Sequence, residues 1–430
     1  MTQRLENALS FCAATAIGLA VSTGHSVGLA AAAGMPIACL LPGSRKAAFE
    51  STLGYYIAGL WPMIPGLQRY IGSSASPLIP FAIWLFAAML LSIPWTIAWA
   101  DRPAKYVWRV PLAFIATTIP PLGIIGFISP LTAAGYLFPS ASWAGLAAVA
   151  FLPGVLLAAR GMAPRVRVAE GCLAFAACGF LAISGRVGPP VEASTIPGWV
   201  GVNTHFGDVS QPFRDYAAAT FIQQKAAESP ARVLIFPEFI VPRWSEATEA
   251  FWRRALDRCG KRNQILVIGA GMPSNARIRN DRPAFDFAAA IDALESRDSS
   301  SLATTKAFVG SSPESVENTV LVVGASSGEL YQRVPVPIGM WRPFSNVSVP
   351  LRLNGPGVIE IDHQRAAVLI CYEEILTFPV LASMLRHPTA IIGISNSFWF
   401  DETTIPAYQA AALKGWARLF RLPLFMAVNS

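Results

Sequence analysis

Hydrophobic and polar positions divide this chain into two textures. Up to residue 186 the apolar runs are long and are broken by short basic or Pro-rich clusters. About seven of them have the roughly 17–25 residues that a bilayer crossing requires. They fall near 8–24, 26–42, 53–71, 77–100, 110–128, 142–160 and 170–186. Arg4 ahead of an apolar stretch and then small residues also gives 1–34 the shape of a signal peptide, a rival reading of the first run. Gly and Pro crowd the stretch that follows the last run, so a linker is expected over 187–197.

From 198 to 430 the runs shorten to the length of strands and alternate with amphipathic segments. Trp199 to Asn203, Arg232 to Glu238, Gln264 to Gly271, Asn318 to Val323, Glu329 to Val334, 357–361, Ala366 to Ile370, 390–394 and Pro423 to Val428 read as strands. Helices are expected over 213–228, 246–260, 374–386 and 406–420, with an irregular polar stretch at 273–317. Strands alternating with helices predict an α/β domain whose sheet faces are covered.

Composition sharpens the division. The 430 residues are 53% hydrophobic and 14% charged, whereas soluble domains carry about 25% charge. The deficit is concentrated in the first region. A net charge of +7 does not point to nucleic acid, because many of the basic residues lie between apolar runs. Arg4, then Arg45 and Lys46, then Arg102, Lys105 and Arg109, then Arg160, Arg165 and Arg167 occupy every second loop, while the alternate loops hold little beyond Arg69. By the positive-inside rule the N-terminus is expected in the cytoplasm of an inner membrane and the 198–430 domain outside, the periplasm in a bacterium. No run carries an ionisable residue at its centre, which argues against a proton-coupled transporter or a channel. Pro62, Pro65, Pro94, Pro120 and Pro121 predict kinks or breaks.

Cysteine usage gives neither a disulfide framework nor a CxxC metal spacing: Cys12, Cys39, Cys172 and Cys178 lie in apolar runs, Cys259 and Cys371 beyond them. His205, His363 and His387 are isolated, and neither a zinc pattern nor a phosphate-binding glycine loop occurs. No metal or cofactor is expected.

Cys371 stands apart because the aliphatic run Ala366 to Ile370 ends on it and turns acidic at Glu373 and Glu374. A thiol at a strand end with carboxylates nearby is a candidate nucleophile, although a buried cysteine also serves as a small hydrophobe. Glu238 ends another buried run in the same manner, and ligands of α/β sheets bind beyond the carboxyl ends of strands. A glutamate beside a thiol can take its proton.

Four motifs in order then carry a resemblance. Phe236-Pro237-Glu238-Phe239, Tyr331-Gln332-Arg333 leading into Pro337-Ile338-Gly339, Cys371-Tyr372-Glu373-Glu374, and Ser395-Asn396 with Trp399 resemble the motifs of the nitrilase (carbon–nitrogen hydrolase) superfamily. With several apolar runs ahead of that domain, the chain is similar within it to the apolipoprotein N-acyltransferases. The resemblance implies a four-layer α-β-β-α sandwich and a Glu–Lys–Cys triad, with Glu238 as general base, Cys371 as nucleophile and Glu373 as a supporting carboxylate. Arg333 stands where the family has lysine. Arginine stays charged, so it could steady an oxyanion but could hardly shuttle a proton.

The loop after Arg333 is one residue shorter than in the acyltransferases, and Met340, Trp341 and Arg342 replace their second glutamate. The domain is also expected to lack their closing strands, since Ser430 follows directly on Asn429. The spelling from Val334 to Pro343 resembles a family of membrane-bound nitrilase-like proteins encoded among plasmid transfer functions, which implies a part in conjugation. Two readings follow. One is an enzyme acting on an amide or ester, from a membrane lipid or another acylated substrate, through a Cys371 thioester. The other is a catalytically impaired scaffold among the proteins of the conjugation apparatus. Trp399 and Phe400 could line an acyl pocket or pack a core; Trp341 and Phe344 could touch the membrane surface.

Overall fold

The computed structural model describes residues 3–71, 76–160, 196–209, 213–273, 316–342 and 348–430. The apolar run at 170–186, most of the 187–197 linker, most of the polar stretch at 273–317, and Arg165, Arg167, Cys172, Cys178 and Phe344 lie outside them.

The first region is helical. It comprises α1 (Gln3–Ser22), α2 (Ser26–Ala31), α3 (Met35–Leu40), α4 (Arg45–Leu60), α5 (Met63–Ile71), α6 (Leu78–Ala98), α7 (Tyr106–Thr118), α8 (Ala134–Leu137) and α9 (Ser142–Ala159). Among the described residues, α1, α6 and α9 are long and apolar enough to cross a membrane. Their outer faces suit lipid: on α6, Leu78, Phe81, Phe86, Ile93 and Ile97 are all exposed. The other apolar runs are interrupted. The run at 26–42 contains a 3-10 turn between α2 and α3, and that at 53–71 divides into α4 and α5 at Trp61-Pro62. The run at 110–128 stops being helical at Thr118, ahead of Pro120 and Pro121, whose rings cannot continue the hydrogen-bond ladder.

The second region is a four-layer sandwich. One sheet has the order β1 (Trp199–Gly201), β2 (Val233–Ile235), β3 (Ile265–Pro273), β4 (Val316–Gly324) and β5 (Gly328–Tyr331). The other has β6 (Val358–Ile361), β7 (Gln364–Ile370), β8 (Ala390–Asn396) and β9 (Leu424–Asn429). Strands β1, β2 and β3 run parallel, as do β7, β8 and β9. Side-chain alternation assigns the layers. Val233 and Ile235 meet Ala366, Val368 and Ile370 in the core between the sheets. Leu234 and Phe236 face the opposite way, onto α10 (Arg214–Glu228) and α11 (Glu246–Lys261). Ala367 and Leu369 likewise face α12 (Thr377–Met384) and α13 (Ile405–Phe420).

That last core continues without a break into the helical region, joining Leu413 and Trp416 of α13 to Leu29, Tyr55 and Leu131. The Tyr136 hydroxyl donates to the Ala411 carbonyl at 2.7 Å, and the Tyr372 hydroxyl to the Ile124 carbonyl at 2.8 Å.

Two departures from expectation share one cause. Strand β5 ends at Tyr331 rather than Val334 because the Arg333 and Val334 N–H groups donate to the Glu373 carboxylate, not to a neighbouring strand. The helix expected from 374 begins instead as a 3-10 turn over Cys371–Ile375, which that same carboxylate holds by accepting from the Ile370 N–H.

Candidate functional site

Cys371 follows the last residue of β7, and its backbone is left-handed at φ +49°. A non-glycine residue there is strained, a condition that accumulates at functional positions. The turn is held from two sides: the Gln409 amide of α13 donates to the Cys371 carbonyl at 3.1 Å, and Tyr372 is tied to Ile124. Glu238 stands just beyond β2, in the facing sheet, and is buried. The sandwich thus brings the two strand-end residues together, close enough that thiol and carboxylate each shift the other's protonation.

Two N–H donors also hold the carboxylate. Oε2 accepts the Asn396 N–H at 2.8 Å, and Oε1 accepts from the Asn318 amide. Burial pushes the Glu238 carboxyl up to about 7, against the lowering effect of the bonds from Cys371, Asn396 and Asn318. Burial, and then the charge of Glu238, hold the Cys371 thiol well above its ordinary range. Glu374 is also buried and is likewise raised, first by burial and then by the charges of Glu238 and Glu373. The arrangement keeps the proton on sulfur at rest and sets beside it a carboxylate that changes protonation near neutrality, as a general base for thiol addition requires.

Glu373 does not reach for the thiol. Its Oε1 accepts from the Arg333 N–H at 2.5 Å and the Val334 N–H at 3.1 Å, and its Oε2 from the Ile370 N–H at 3.4 Å. It therefore fastens the end of β5 to the turn that carries Cys371. The Arg333 guanidinium is fully buried on that same side, 3.3 Å from Glu373 Oε2, 3.1 Å from the Pro379 carbonyl and 3.0 Å from the Ser383 hydroxyl. The charges that bear most on the pair are acidic, Glu373 on Glu238 and Glu238 and Glu374 on Cys371.

The polar group nearest the pair along this segment is instead Gln332. Its amide donates to the Ile370 carbonyl at 3.0 Å, and its oxygen accepts from Asn318 at 3.4 Å. Asn318 and Gln332 were legible in principle. Each continues the row of its strand that faces the inter-sheet core, after Val320 and Leu330 respectively, and a polar residue at the end of such a row marks a site. Among the other candidates, Trp399 stacks edge-on with Tyr70 of α5 at 5.5 Å, while His205 bonds Ser430, the residue after β9. No cluster of His, Cys, Asp or Glu among the described residues could hold a metal.

A glutamate and a cysteine converging from the strand ends of two sheets in an α-β-β-α sandwich define a nitrilase-like domain, here joined to a helical region with candidate membrane-spanning helices. The particular likeness is to the conjugal transfer proteins called TraB. The chain is 27% identical over 440 residues to the probable conjugal transfer protein TraB of Sinorhizobium fredii, covering 99% of each. It is 26% identical to the conjugal transfer protein TraB of Agrobacterium fabrum, covering 98% of this chain and 93% of that one.

No protein-family model matches the chain. Among solved structures it is similar to a cysteine-to-alanine mutant of the Nesterenkonia AN1 amidase from the nitrilase superfamily, with 13% identity, a TM-score of 0.31, and coverage of 54% of this chain and 74% of that one. A second form of that amidase, a glutamate-to-glutamine mutant showing Michael addition of acrylamide at the active-site cysteine, gives 14%, 0.29, 54% and 77%.

Proposed function

We propose that this protein is a membrane-anchored carbon–nitrogen hydrolase or N-acyltransferase taking part in plasmid conjugal transfer, and that it acts on an amide or ester through a Cys371 thioester. The observation that carries the reading is the convergence of Cys371 and the buried Glu238 from the ends of facing strands β7 and β2. The likeness to TraB proteins supports the role in conjugation.

In the reaction, Glu238 takes the thiol proton as sulfur adds to the substrate carbonyl carbon. The tetrahedral intermediate collapses, its carbon–nitrogen or carbon–oxygen bond breaks, and the leaving amine or alcohol departs with the proton from Glu238. Water or an amine then adds to the thioester while Glu238 takes its proton. Collapse of the second intermediate expels the Cys371 sulfur, which recovers that proton. Glu373 keeps the turn in register through its three backbone bonds. Arg333 shares that support, because its guanidinium is spent on Glu373, Pro379 and Ser383. The basic loops favour an inner-membrane protein with a cytoplasmic N-terminus and a periplasmic catalytic domain, placing the site beside membrane lipids, acylated substrates and the conjugation machinery. The reaction needs neither cofactor nor nucleic acid.

A second reading, a nitrilase-fold scaffold of the conjugation apparatus, draws on one observation: the Arg333 guanidinium is bonded to Glu373, Pro379 and Ser383 and not to the pair. Plasmid transfer frequency separates the two. Cys371→Ala and Glu238→Gln should each lower transfer as far as deletion of the gene does. Normal transfer by both variants, with deletion abolishing it, would establish the scaffold.

A further inference from the structure

Helix α5 belongs to the helical region, yet it closes over the two loops that lead away from the Glu238–Cys371 pair. The first loop runs from Gln332 to Arg342. The second leaves Asn396, whose N–H is bonded to Glu238, and runs through Asp401. Two glycines record how closely α5 approaches them. At Gly339, in the first loop, a Cβ would stand 2.4 Å from Cε1 of Tyr70, so the tyrosine ring rests on bare backbone. At Gly66, on α5 itself, a Cβ would stand 2.3 Å from Cδ1 of Phe400, so the second loop rests on α5 in the same way.

Tyr70 also stacks edge-on against Trp399, which in turn lies 4.1 Å from Phe398. Next to it, Arg69 pairs with Asp401 at 2.5 Å and also with Glu402. These contacts lock α5 to the loops from both sides of the ring. Tyr70 is near enough to the pair that the charges of Glu238 and Cys371 both act on it.

We propose that Tyr70 is a substrate-contacting wall of the Cys371 pocket, supplied by the helical region, and that it limits the size of the group that reaches the thiol. The proposal rests on the catalytic reading of Cys371, and it makes the helical region part of the active site as well as an anchor. Arg69 is the positioning residue. Its carboxylate partners are solvent-exposed, and exposed pairs hold weakly, so the aromatic contacts carry most of the wall.

The test uses the full chain in detergent. The rates at which iodoacetamide and the bulkier N-phenylmaleimide modify the Cys371-bearing peptide are measured by mass and compared with their rates on free cysteine. The wild type should discriminate against the bulkier reagent. Tyr70→Ala should relax that discrimination by about tenfold or more, and Arg69→Ala by less. Tyr70→Phe, which keeps the ring, should retain it. A uniform change with both reagents, or none, would overturn the proposal, as would failure of either reagent to reach Cys371 in both wild type and Tyr70→Ala. The catalytic reading is tested separately by the pH profile of iodoacetamide labelling. Loss of the Glu238-dependent inflection in Glu238→Gln supports that reading, and an unchanged profile counts against it whatever Tyr70 does.

Discussion

Arg333 and Glu373 form a side-chain pair with no solvent exposure, Nη2 lying 3.3 Å from Oε2, and the same carboxylate also accepts the Arg333 backbone N–H at 2.5 Å. The pair sits beside the turn that carries Cys371, and its charge is closed on itself. Removing one partner of such a pair leaves a buried charge uncompensated, at a cost of about 3–5 kcal/mol. Arg333→Met should therefore lower the melting temperature of the detergent-purified protein sharply. Arg333→Lys should also destabilise it, since an ammonium cannot reproduce the fork that spans Glu373, Pro379 and Ser383.

That geometry separates two substitutions that the motif alone would treat alike. If Arg333 occupied the place of a catalytic lysine, Arg333→Lys would raise the reactivity of Cys371. Gln332 is instead the residue hydrogen-bonded to Asn318, and Asn318 is bonded to Glu238. Gln332→Lys is thus the change expected to bring a cation to the pair and to speed alkylation of Cys371, while Arg333→Lys leaves that rate no higher than wild type. The reverse ordering of the two rates would show that Arg333 reaches the thiol.

The reactivity of Cys371 should follow the protonation of Glu238. With that carboxyl pushed up to about 7 by burial, it holds a proton below this pH and cannot accept another. Above it, the free carboxylate can take the thiol proton. Alkylation by iodoacetamide should accordingly rise through an inflection near pH 7 in the wild type. Glu238→Gln should lose the inflection and react about 10²- to 10⁴-fold more slowly at its plateau.

Much of this was legible in the sequence, and the missing part has a physical cause. Glu238 and Cys371 could be read because each ends an aliphatic run, and the sandwich brings strand ends together. The relation of Gln332 to Arg333 was not read because a motif counts positions, whereas a strand alternates faces. Counting from Leu330, which packs between the sheets, places Gln332 inward and Arg333 on the other side. Tyr70 could not be read at all: it lies far from the other site residues in sequence, and what reveals it is the pair of close approaches at Gly339 and Gly66. The long apolar runs were visible in the sequence, but the division of several into short helices depended on prolines and packing.

The left-handed backbone of Cys371, φ +49°, gives a prediction independent of chemistry. An L-residue held in this region costs about 1–2 kcal/mol, and glycine is spared most of that. Both Cys371→Gly and Cys371→Ala delete the thiol and should abolish labelling. Cys371→Gly should nevertheless melt higher than Cys371→Ala, although a glycine normally gives up more conformational entropy on folding. Equal melting, or a lower value for glycine, would mean that the turn is unstrained.

Glu374 gives the pH dependence of stability. Its carboxyl is raised well above its ordinary range by burial and then by the charges of Glu238 and Glu373, so the folded protein keeps this proton at pH values where the unfolded chain has released it. The unfolded state therefore binds fewer protons, and stability falls as pH rises. The contribution is full below the ordinary glutamate value of about 4.3 and is lost progressively on the way up to the raised value. Glu238, raised to about 7, adds a fall in the same direction that is complete near neutrality. Glu374→Gln keeps the shape and cannot ionise. Melting temperatures measured from pH 5 to pH 9 should fall in the wild type, and the total fall should be smaller in Glu374→Gln. A fall as large as that of the wild type would show that Glu374 ionises freely in the folded protein.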